Sequence, residues 1–560
     1  MKTAFLISYN SDFIKKEFQA YFSGKHLSSD FWWNSYSTHE QNVFDVNSSL
    51  YSFEPNIVVL HFEIESLLGD FSSDILSLSV SQRTARVEGV KQKITLLLKT
   101  LSKNLPNTKI IVENFTYRSP SYLGSLDSNI STGLNEVILK LNLFLHDLKN
   151  EFGERFIIND FASVIASFGK ANAYDFRMYR LGKYPFDRSF NPKLFEHFYT
   201  ALLPFFSPRK KCLVIDLDNT LWGGIVGQDG IDNLELGSAG IGESFVQFQK
   251  LLLNFYRSGI FLAVCSKNNY EDAVEVIEKH PDMVLRKEFF SSLRINWMDK
   301  ATNITSIANE LNIGTDAIVF IDDNPAECEL VKQKMPEVEV VNLVGEPDNY
   351  IQQLLSVTSL QTFSLTEEDL SRNTMHNADE KRKEAELSFI NLDDYYKSLD
   401  MRAYISVDNP AQVSRVAQLT QKTNQFNLTT RRYSTEEIKN FMSSPEHKVF
   451  TLRLVDKFGD NGIVLVAVIK TSAIKWTIDT LLMSCRVIGR QAETALLNFI
   501  LAHAAKAGAG LLFGQFQPTK KNAPSANFFK DHSFSQLNET DWEITLPAEM
   551  KNHYINVIVE

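Results

Sequence analysis

The chain has 560 residues, 44% of them apolar and 22% charged, so it has material for several hydrophobic cores and is not disordered over most of its length. At roughly 100–200 residues per domain, this length predicts three or four domains. The 68 acidic residues outnumber the 57 basic ones and give a net charge of −11, which argues against a nucleic-acid-binding protein. The apolar runs are far shorter than the ~20 residues of a membrane span, and the N-terminal one is too short for a signal peptide. With four scattered cysteines, we expect reduced thiols, a cytoplasmic location and no membrane partner.

The first part of the chain has the pattern of an α/β domain. Apolar runs at Ala4–Ser8, Ile57–Phe62 and Lys109–Val112 are typical of strands, and they alternate with longer helical patterns such as Gly133–Leu148. We therefore predict a first domain over residues 1–204.

A second alternation of strands and helices occupies residues 205–360, and its first strand ends in acidic residues. The apolar run Lys211–Ile215 stops at Asp216, Asp218 and Thr220. Open α/β sheets place their functional groups at the carboxyl ends of their strands. If strand geometry persisted beyond the run, the two carboxylates would face one site, because alternate residues of a strand point the same way. An acidic pair also occurs in ordinary loops, so the pair alone is weak evidence for a site.

Three features later in the chain favour a functional site. The apolar run Ile260–Cys265 ends in Ser266, a lysine stands at Lys300, and the apolar run Ala317–Ile321 ends in Asp322–Asp323. The order is therefore a strand with an acid pair, a strand with a serine, a lysine, and a strand with a second acid pair.

Residues 361–400 differ in composition from the residues before them. Ser364–Glu367 has the pattern of a capping box, which marks the start of a helix. Asp379 and Lys383 are four residues apart in the next, charge-rich stretch and would pair on one helix face. We predict a solvated connecting helix here.

Residues 401–560 mix strands and helices again. The pattern predicts a strand at Gly462–Ile469 and a helix at Ala492–Ala507. We therefore predict a last domain over this range.

The strand-end motifs, in this order, resemble the four motifs of the haloacid dehalogenase superfamily of aspartate-nucleophile phosphohydrolases. The wider sequence resembles more narrowly the FkbH-like branch, in subfamily IIIC, over essentially residues 205–560. The segments that carry this resemblance are Asp216–Gly230, Ile295–Trp297, Phe320–Pro325, Gln418–Arg432, Asp456–Val464 and Ser484–Glu493. The resemblance implies a multidomain α/β protein with an uncapped Rossmann-like haloacid dehalogenase domain, a GNAT-like α+β domain and an N-terminal SGNH-like α/β domain.

The SGNH-like domain lacks the motifs of an active hydrolase. Such an enzyme needs a Gly-Asp-Ser nucleophile motif, whereas this chain has Gly69-Asp70-Phe71. No histidine of the first domain follows an aspartate at the required spacing. We expect residues 1–204 to be a degenerate, non-catalytic SGNH-hydrolase-like domain.

The resemblance implies a role for each polar residue at the later strand ends. Asp216 would attack a phosphomonoester and form an aspartyl-phosphate, and Asp218 would protonate the leaving alcohol and later activate water. Ser266 would hold the phosphoryl oxygens, and Lys300 would neutralise charge between Asp216 and the phosphoryl group. The implied substrate-binding residues nearby are Thr220 and Asn268.

A metal cofactor is implied as well. A carboxylate that attacks a phosphomonoester dianion needs a cation to screen the charge, and Mg²⁺ suits a site made of oxygen ligands. By the family pattern the ligands would be Asp216, the carbonyl of Asp218 and Asp323, with Asp322 beside them or sharing the role. The alternative interpretation of Asn268 is an ordinary loop residue without a role in the site.

The spacing of the motifs limits what can cover the site. Asp216 and Ser266 are 50 positions apart, and Ser266 and Lys300 are 34 apart. The strand–helix connections need most of that length, so no large cap domain fits. An open site favours a substrate carried on a larger molecule over a free small metabolite.

The C-terminal loop departs from the acetyltransferase pattern. In Arg486–Gln491, Gln491 replaces the last small residue of the pyrophosphate-binding pattern Arg/Gln-x-x-Gly-x-Gly/Ala. Backbone amides at the start of a helix could still bind a phosphate, such as that of a phosphopantetheine arm. The implied substrate-binding residues of this loop are Arg486, Gly489 and Arg490.

Cys485 stands at the beginning of the same loop. Its arginine neighbours favour the reactive thiolate, which makes it the candidate nucleophile for acyl transfer. The alternative is a small buried apolar residue, as most free cysteines are. We expect Cys212, Cys265 and Cys328 to be structural.

The resemblance implies the loading of a glyceryl-type unit from a phosphorylated glycerate, a three-carbon substrate, onto the phosphopantetheine thiol of an acyl carrier protein, with loss of phosphate. The basic clusters Gln421–Arg432 and Pro518–Asn522 could dock such a carrier, with ordinary solvated loops as the alternative. An uncapped Mg-dependent phosphatase, whose C-terminal domain supplies only specificity, is the alternative function. An interaction protein with relic enzyme domains conflicts with the intact set of acidic residues and lysine.

Overall fold

The computed structural model describes residues 1–25, 27, 29–118 and 121–560. The chain forms two compact units, one of Met1–Lys210 with Leu343–Leu365, and one of Lys211–Asn342 with Thr366–Glu560. In the part of the chain that the structure describes, no helix combines the length and apolar character needed to cross a membrane.

The first unit is built on a parallel sheet with strand order β2-β1-β3-β4-β5. Its strands are β1 Lys2–Ile7, β2 Asp30–Trp33, β3 Ile57–His61, β4 Lys109–Glu113 and β5 Phe156–Asn159. Alternate residues of β3 pack into separate cores on the two faces of the sheet, Val58 and Leu60 on one and Ile57 and Val59 on the other. The predicted strands in this region are confirmed.

Helices cover both faces of this sheet. They are α1 Lys15–Gly24, α2 His39–Phe44, α3 Ser49–Phe53, α4 Ile64–Leu68, α5 Phe71–Asp74, α6 Val80–Asn104, α7 Leu134–Phe152, α8 Phe161–Phe168, α9 Lys170–Ala173, α10 Phe176–Gly182 and α11 Asn191–Leu202. The predicted helix at Gly133–Leu148 corresponds to α7.

The second unit begins with another parallel sheet, of strand order β10-β9-β6-β7-β8. Its strands are β6 Cys212–Ile215, β7 Phe261–Ser266, β8 Phe290–Ile295, β9 Ile318–Asp322 and β10 Glu339–Asn342. The helices of this stretch are α12 Val226–Asp229, α13 Ile241–Arg257, α14 Tyr270–Lys279, α15 Lys300–Glu310 and α16 Pro325–Lys334, and α17 Tyr350–Leu355 comes next in the segment that belongs to the first unit. The chain adds β7 and β8 on one side of β6 and then β9 and β10 on the other, so a topological switch point lies between β6 and β9.

A large mixed sheet completes the second unit, with strand order β17-β18-β16-β15-β14-β13-β11-β19 and β12 paired to β15. Its strands are β11 Arg402–Val407, β12 Phe426–Asn427, β13 His447–Asp456, β14 Gly459–Lys470, β15 Lys475–Met483, β16 Leu511–Gln515, β17 Ser535–Gln536, β18 Asp541–Thr545 and β19 Asn556–Val559. The helices are α18 Glu367–Leu387, α19 Leu392–Ser398, α20 Val413–Lys422, α21 Thr435–Ser443, α22 Ala492–Lys506 and α23 Phe528–Asp531. The predicted strand at Gly462–Ile469 lies within β14, and the predicted helix at Ala492–Ala507 is α22.

The start of α18 differs from the prediction. Thr366 caps the helix, because its hydroxyl accepts a hydrogen bond from the Asp369 amide and the Asp369 carboxylate accepts one from the Thr366 amide, each at 3.1 Å. The predicted capping box at Ser364–Glu367 is therefore wrong by two residues. The predicted pair of Asp379 with Lys383 is also wrong, since the lysine pairs with Glu380 instead.

Helix α18 is not a solvated spacer. Asn373 on this helix is buried and donates to the carbonyl oxygens of Tyr256 and Ile260, at 2.5 and 3.1 Å. Gly259 has a φ of +85°, and a Cβ there would meet the carbonyl oxygen of Asp369 at 1.9 Å. The helix therefore packs directly against the turn that precedes β7, at the amino ends of the strands of the second sheet.

Candidate functional site

Three carboxylates meet at the switch point of the second sheet. Asp216 follows β6, Asp322 ends β9, and Asp323 comes next in the chain. Because β6 and β9 are paired neighbours, with Ile215 opposite Ile321, their carboxyl ends bring these side chains together. One ligand atom from each of the three carboxylates lies within 4.8 Å of the others. Acidic residues that follow the first and third apolar runs of this region therefore meet at one sheet edge.

Lys300 lies between two of these carboxylates. Its Nζ is 2.7 Å from Oδ1 of Asp216 and 2.5 Å from Oδ2 of Asp322. The lysine is the first residue of α15, and Asp299 caps this helix by accepting a hydrogen bond from the Thr302 amide. Burial disfavours the charged amine, but the carboxylates of Asp216 and Asp322 outweigh it and raise the pKa of Lys300. The lysine therefore remains a cation inside the cluster.

The remaining negative charge of the cluster fits a divalent cation. Burial and the nearby charge of Asp216 raise the pKa of Asp322 to about 6, even though Lys300 opposes the shift. The same two causes raise the pKa of Asp323. One ammonium group does not balance three carboxylates, and an all-oxygen donor set is the kind that Mg²⁺ prefers. Asp216, Asp322 and Asp323 are therefore suited to hold this ion.

Asp218 lies beside the cluster, and its side chain is fixed by three donors. Its carboxylate accepts hydrogen bonds from the indole of Trp222 at 2.9 Å, the amide of Val226 at 3.2 Å and the side chain of Asn268 at 3.0 Å. Burial is the main cause that raises the pKa of Asp218, and the charge of Asp216 adds to it. A carboxyl group with a raised pKa is suited to donate a proton.

The strand itself does not persist through the acid pair. β6 ends at Ile215, and Asn219 has a φ of +54°, so a loop rather than an extended strand places Asp216 and Asp218 on one side. The condition of continued strand geometry is therefore not met, although both carboxylates lie at the same sheet edge.

The other predicted residues of this edge also lie here. Asn268 connects Asp218 to Ser266, because its side-chain amide is also 3.2 Å from the serine hydroxyl. Thr220 is buried, and its hydroxyl is 3.5 Å from Asp323. Trp222 is a partner of Asp218 that sequence reasoning missed; it lies inside the family-like segment, but no spacing rule assigns it a function.

Cys485 lies elsewhere. It is exposed, whereas Cys212, Cys265 and Cys328 are buried. It lines a cavity of about 960 Å³ together with Met375 and His376 of α18. The alternative interpretation of Cys485 as a small buried apolar residue is therefore wrong.

This cavity, which we call the thiol cavity, opens at the amino edge of the second sheet. Lys211, which precedes β6, and Phe261, the first residue of β7, are in its wall. The end of α15, at Glu310, also lines it, whereas the beginning of α15, at Lys300, contacts Asp216. A helix of 11 residues is roughly 16 Å long at about 1.5 Å per residue. The thiol cavity and the acidic cluster are therefore at opposite edges of one sheet.

The three predicted phosphate-binding residues of the C-terminal loop differ in what they contact. Arg490 pairs with Asp379 and Asp456, at 3.1 and 3.4 Å, and belongs to a buried ionic network. Gly489 is exposed, with a φ of +85°. Arg486 contacts a methionine sulfur and a serine hydroxyl and forms no ion pair with any residue that the structure describes. Of the two arginines, only Arg486 is available to an anionic ligand.

Comparison with known proteins gives a family match and a similar structure of substantial coverage. Residues 2–198 match the family model of the FkbH N-terminal domain. A crystal structure of the N-terminal part of the protein BF1531 from Bacteroides fragilis, containing a phosphatase domain complexed with Mg, has 28% identity and a TM-score of 0.60. The match covers 65% of this chain and 95% of that one. Both matches support the FkbH-like family. The comparison with curated proteins found no match.

Acetyltransferase structures match the chain more weakly. The ribosomal-protein-S18-alanine N-acetyltransferase from Escherichia coli matches with 12% identity and a TM-score of 0.21, over 27% of this chain and 97% of that one. The GNAT domain of S. lividans PAT matches with 14% identity and a TM-score of 0.21, over 26% of this chain and 89% of that one. The GNAT-like fold of residues 401–560 stays a prediction, as do the SGNH-like relationship of the first domain and the domain boundaries.

Proposed function

We propose that this FkbH-like protein is a Mg-dependent phosphatase and acyltransferase. It loads a glyceryl-type unit from a phosphorylated glycerate onto the phosphopantetheine thiol of an acyl carrier protein, with loss of phosphate. The observation that carries the phosphatase part is the buried pair of Asp216 with Lys300, beside Asp322 and Asp323, at a topological switch point. The phosphatase domain of the similar structure from Bacteroides fragilis supports the same assignment.

The residues in and beside the acidic cluster have separate roles in the proposed phosphatase reaction. An oxygen of Asp216 attacks the phosphorus, and the bond from phosphorus to the substrate oxygen breaks as Asp218 gives that oxygen a proton. Water then attacks the aspartyl-phosphate and loses a proton to Asp218, which frees phosphate and restores Asp216. Lys300 holds the nucleophile in place, and Ser266 donates a hydrogen bond to a phosphoryl oxygen.

The carboxylates of Asp216, Asp322 and Asp323 would hold Mg²⁺. The bound ion supplies positive charge that screens the repulsion between an anionic nucleophile and an anionic phosphoryl group. Asp323 is the partly exposed member of the three, and its carboxylate has a long contact with Thr220 at 3.5 Å.

Cys485 performs the acyl transfer in this proposal. Its thiolate attacks the carbonyl carbon of an acyl phosphate, the bond to the phosphate oxygen breaks, and a thioester forms as phosphate leaves. The thiol of the carrier then attacks the thioester and regenerates Cys485. Arg486, next in the chain, forms no ion pair with the described residues and is placed to bind the phosphate of the acyl phosphate.

The separation of the two sites constrains the order of steps. A three-carbon phosphoester spans about 6 Å at bond lengths of about 1.5 Å, which is shorter than the roughly 16 Å from the start to the end of α15. A unit attached to Cys485 therefore does not reach Asp216 in this arrangement. The phosphoester is removed either before the unit joins Cys485 or after it moves to the long arm of the carrier.

The same separation favours a second candidate, a Mg-dependent phosphatase whose C-terminal domain supplies only specificity. Intact-mass analysis of a phosphopantetheinylated carrier, after incubation with the protein, Mg²⁺ and phosphorylated glycerates, distinguishes the two. A carrier that gains a glyceryl unit supports the transferase. Phosphate release with an unchanged carrier mass supports the phosphatase alone.

A further inference from the structure

The two basic segments of the C-terminal region form one cleft. A cleft of about 350 Å³, which we call the basic cleft, is lined by Asn424, Thr430, Arg432, Thr519, Lys520 and Lys521. Buried Asn522 holds the two segments together, because its side-chain amide donates to the carbonyl oxygens of Asn427 and Gln517, each at 2.9 Å. Segments almost a hundred residues apart thus present their cations on one surface.

The positive charge of this cleft is not neutralised by its surroundings. Arg432, Lys520 and Lys521 are exposed, and none of them forms an ion pair with the residues that the structure describes. The side chain of Arg432 is nonetheless fixed, since it donates to Asn424 at 2.6 Å and to the Thr420 carbonyl at 3.2 Å. On a protein of net charge −11, a fixed cationic surface attracts an acidic partner.

The basic cleft adjoins the thiol cavity. Asn424 lines both. The reason is the pairing of β12 with β15, in which Phe426 is opposite Met483, so that the residues before β12 lie against the chain that leads to Cys485. The basic cleft is therefore a cationic surface next to the cavity that contains Cys485.

We propose that the basic cleft docks an acidic carrier protein and directs its thiol arm past Asn424 to Cys485. This inference rests on the proposed acyl transfer. A phosphopantetheine arm is attached through a phosphate at one end and carries its thiol at the other. The cleft cations face the carrier and the phosphate, while the far end of the arm enters the thiol cavity.

Charge reversal tests this surface. The variant Lys520→Glu/Lys521→Glu should weaken the binding of a phosphopantetheinylated, acidic acyl carrier protein by roughly tenfold or more, and the loss should shrink as salt rises. The matched control is Lys439→Glu/Lys506→Glu, which reverses two exposed lysines elsewhere in the same region. Binding is measured by fluorescence anisotropy with the full-length protein.

The acyl-transfer reaction of each variant is measured separately with free pantetheine as the acceptor thiol, because free pantetheine needs no docking surface. Unchanged pantetheine loading with weakened carrier binding supports the proposal. Equal carrier affinity in the cleft variant and the control, or absence of carrier binding to the unmodified protein, overturns it. If the unmodified protein binds the carrier through the cleft but loads neither thiol, the surface stands and the proposed transferase function fails.

Discussion

Lys300 follows Asp216 by 84 residues, yet its Nζ lies 2.7 Å from the Asp216 carboxylate. The strand β6 places Asp216 at the sheet edge, and the beginning of α15 places the Lys300 ammonium group at the same point. Because Lys300 also contacts Asp322, it offsets the repulsion between two buried carboxylates. This relationship holds the carboxylate of the proposed nucleophile in place.

The metal site is predicted to depend on Asp323 more than on Asp322. Asp322 is fully buried and committed to Lys300, whereas Asp323 is partly exposed and has no such partner among the described residues. Asp323→Asn should raise the Mg²⁺ concentration for half-maximal phosphatase activity by about tenfold or more. Asp322→Asn should act mainly by lowering maximal activity. Titration of activity against Mg²⁺ measures both, and equal or reversed shifts in the half-maximal concentration would refute the ordering.

Cys485 is predicted to carry the acyl unit. Cys485→Ala should retain phosphate release from the Asp216 site, since the thiol is far from Asp216, but should lose loading of the carrier. Cys212→Ala is the matched control, because this buried cysteine lies at the amino end of β6 and contacts no proposed catalytic group in the described structure. Mass spectrometry of trapped acyl-enzyme reports the acylation of Cys485, and mass spectrometry of the carrier reports its loading. Normal carrier loading by Cys485→Ala would leave direct attack by the carrier thiol as the better explanation.

The ionic network of α18 is predicted to be structural. Arg382 is buried and donates two hydrogen bonds to Asp456, both at 2.8 Å, and Arg490 and Asp379 extend the network. Asp456→Ala leaves a buried guanidinium without its main partner and should lower the free energy of unfolding by about 3–5 kcal/mol.

The control for the network is Lys383→Ala, which removes an exposed pair with Glu380 and should change the free energy of unfolding by less than about 1 kcal/mol. Denaturant unfolding of the full-length variants compares the two. A loss for Asp456→Ala as small as that of the control would show that the network contributes little.

The first sheet is predicted to weaken in acid because of His61. Burial lowers the pKa of His61 to about 4, with Glu113 opposing the shift and His197 adding to it, and its ring also contacts Tyr9. Between pH 6.5 and about 4 the unfolded chain binds a proton that the folded state does not. The contribution of His61 to stability is therefore complete above pH 6.5 and falls as the pH decreases, by at most about 3 kcal/mol.

Hydrogen exchange of β1 and β3 amides across this pH range measures the effect of His61. His61→Gln removes the titrating group and should flatten the pH dependence. His146→Gln, at an exposed position of α7, should leave it unchanged. Identical profiles for the two variants would contradict the assignment.

Sequence patterns predicted well what depends on local periodicity. The apolar runs before Asp216, Ser266 and Asp322 are β6, β7 and β9, and the order of the motifs was enough to predict one carboxyl edge. Burial of one face of α18 was not predictable in this way, because its charged residues are typical of a solvated helix. Arg382 donates to the carboxylate of Asp456, which is 74 residues away in the chain, and no spacing rule connects the two residues.

The surroundings of Cys485 show the same limit. The sequence placed two arginines beside the cysteine, but tertiary contacts commit Arg490 to Asp379 and Asp456 and leave Arg486 available. The position of the thiol cavity at the amino edge of the sheet depends on how α18 packs before β7, which local patterns do not specify.

The most direct test of the proposed phosphatase site is phosphate release by Asp216→Asn. The substitution is nearly isosteric and removes the nucleophilic oxygen, so we predict a folded protein whose Mg-dependent phosphate release falls by roughly 10³-fold or more. Asp232→Asn, at an exposed position after α12, is the matched control and should keep full activity. A folded Asp216→Asn protein that retains more than a trace of Mg-dependent activity would contradict the assignment of Asp216 as the phosphoryl acceptor.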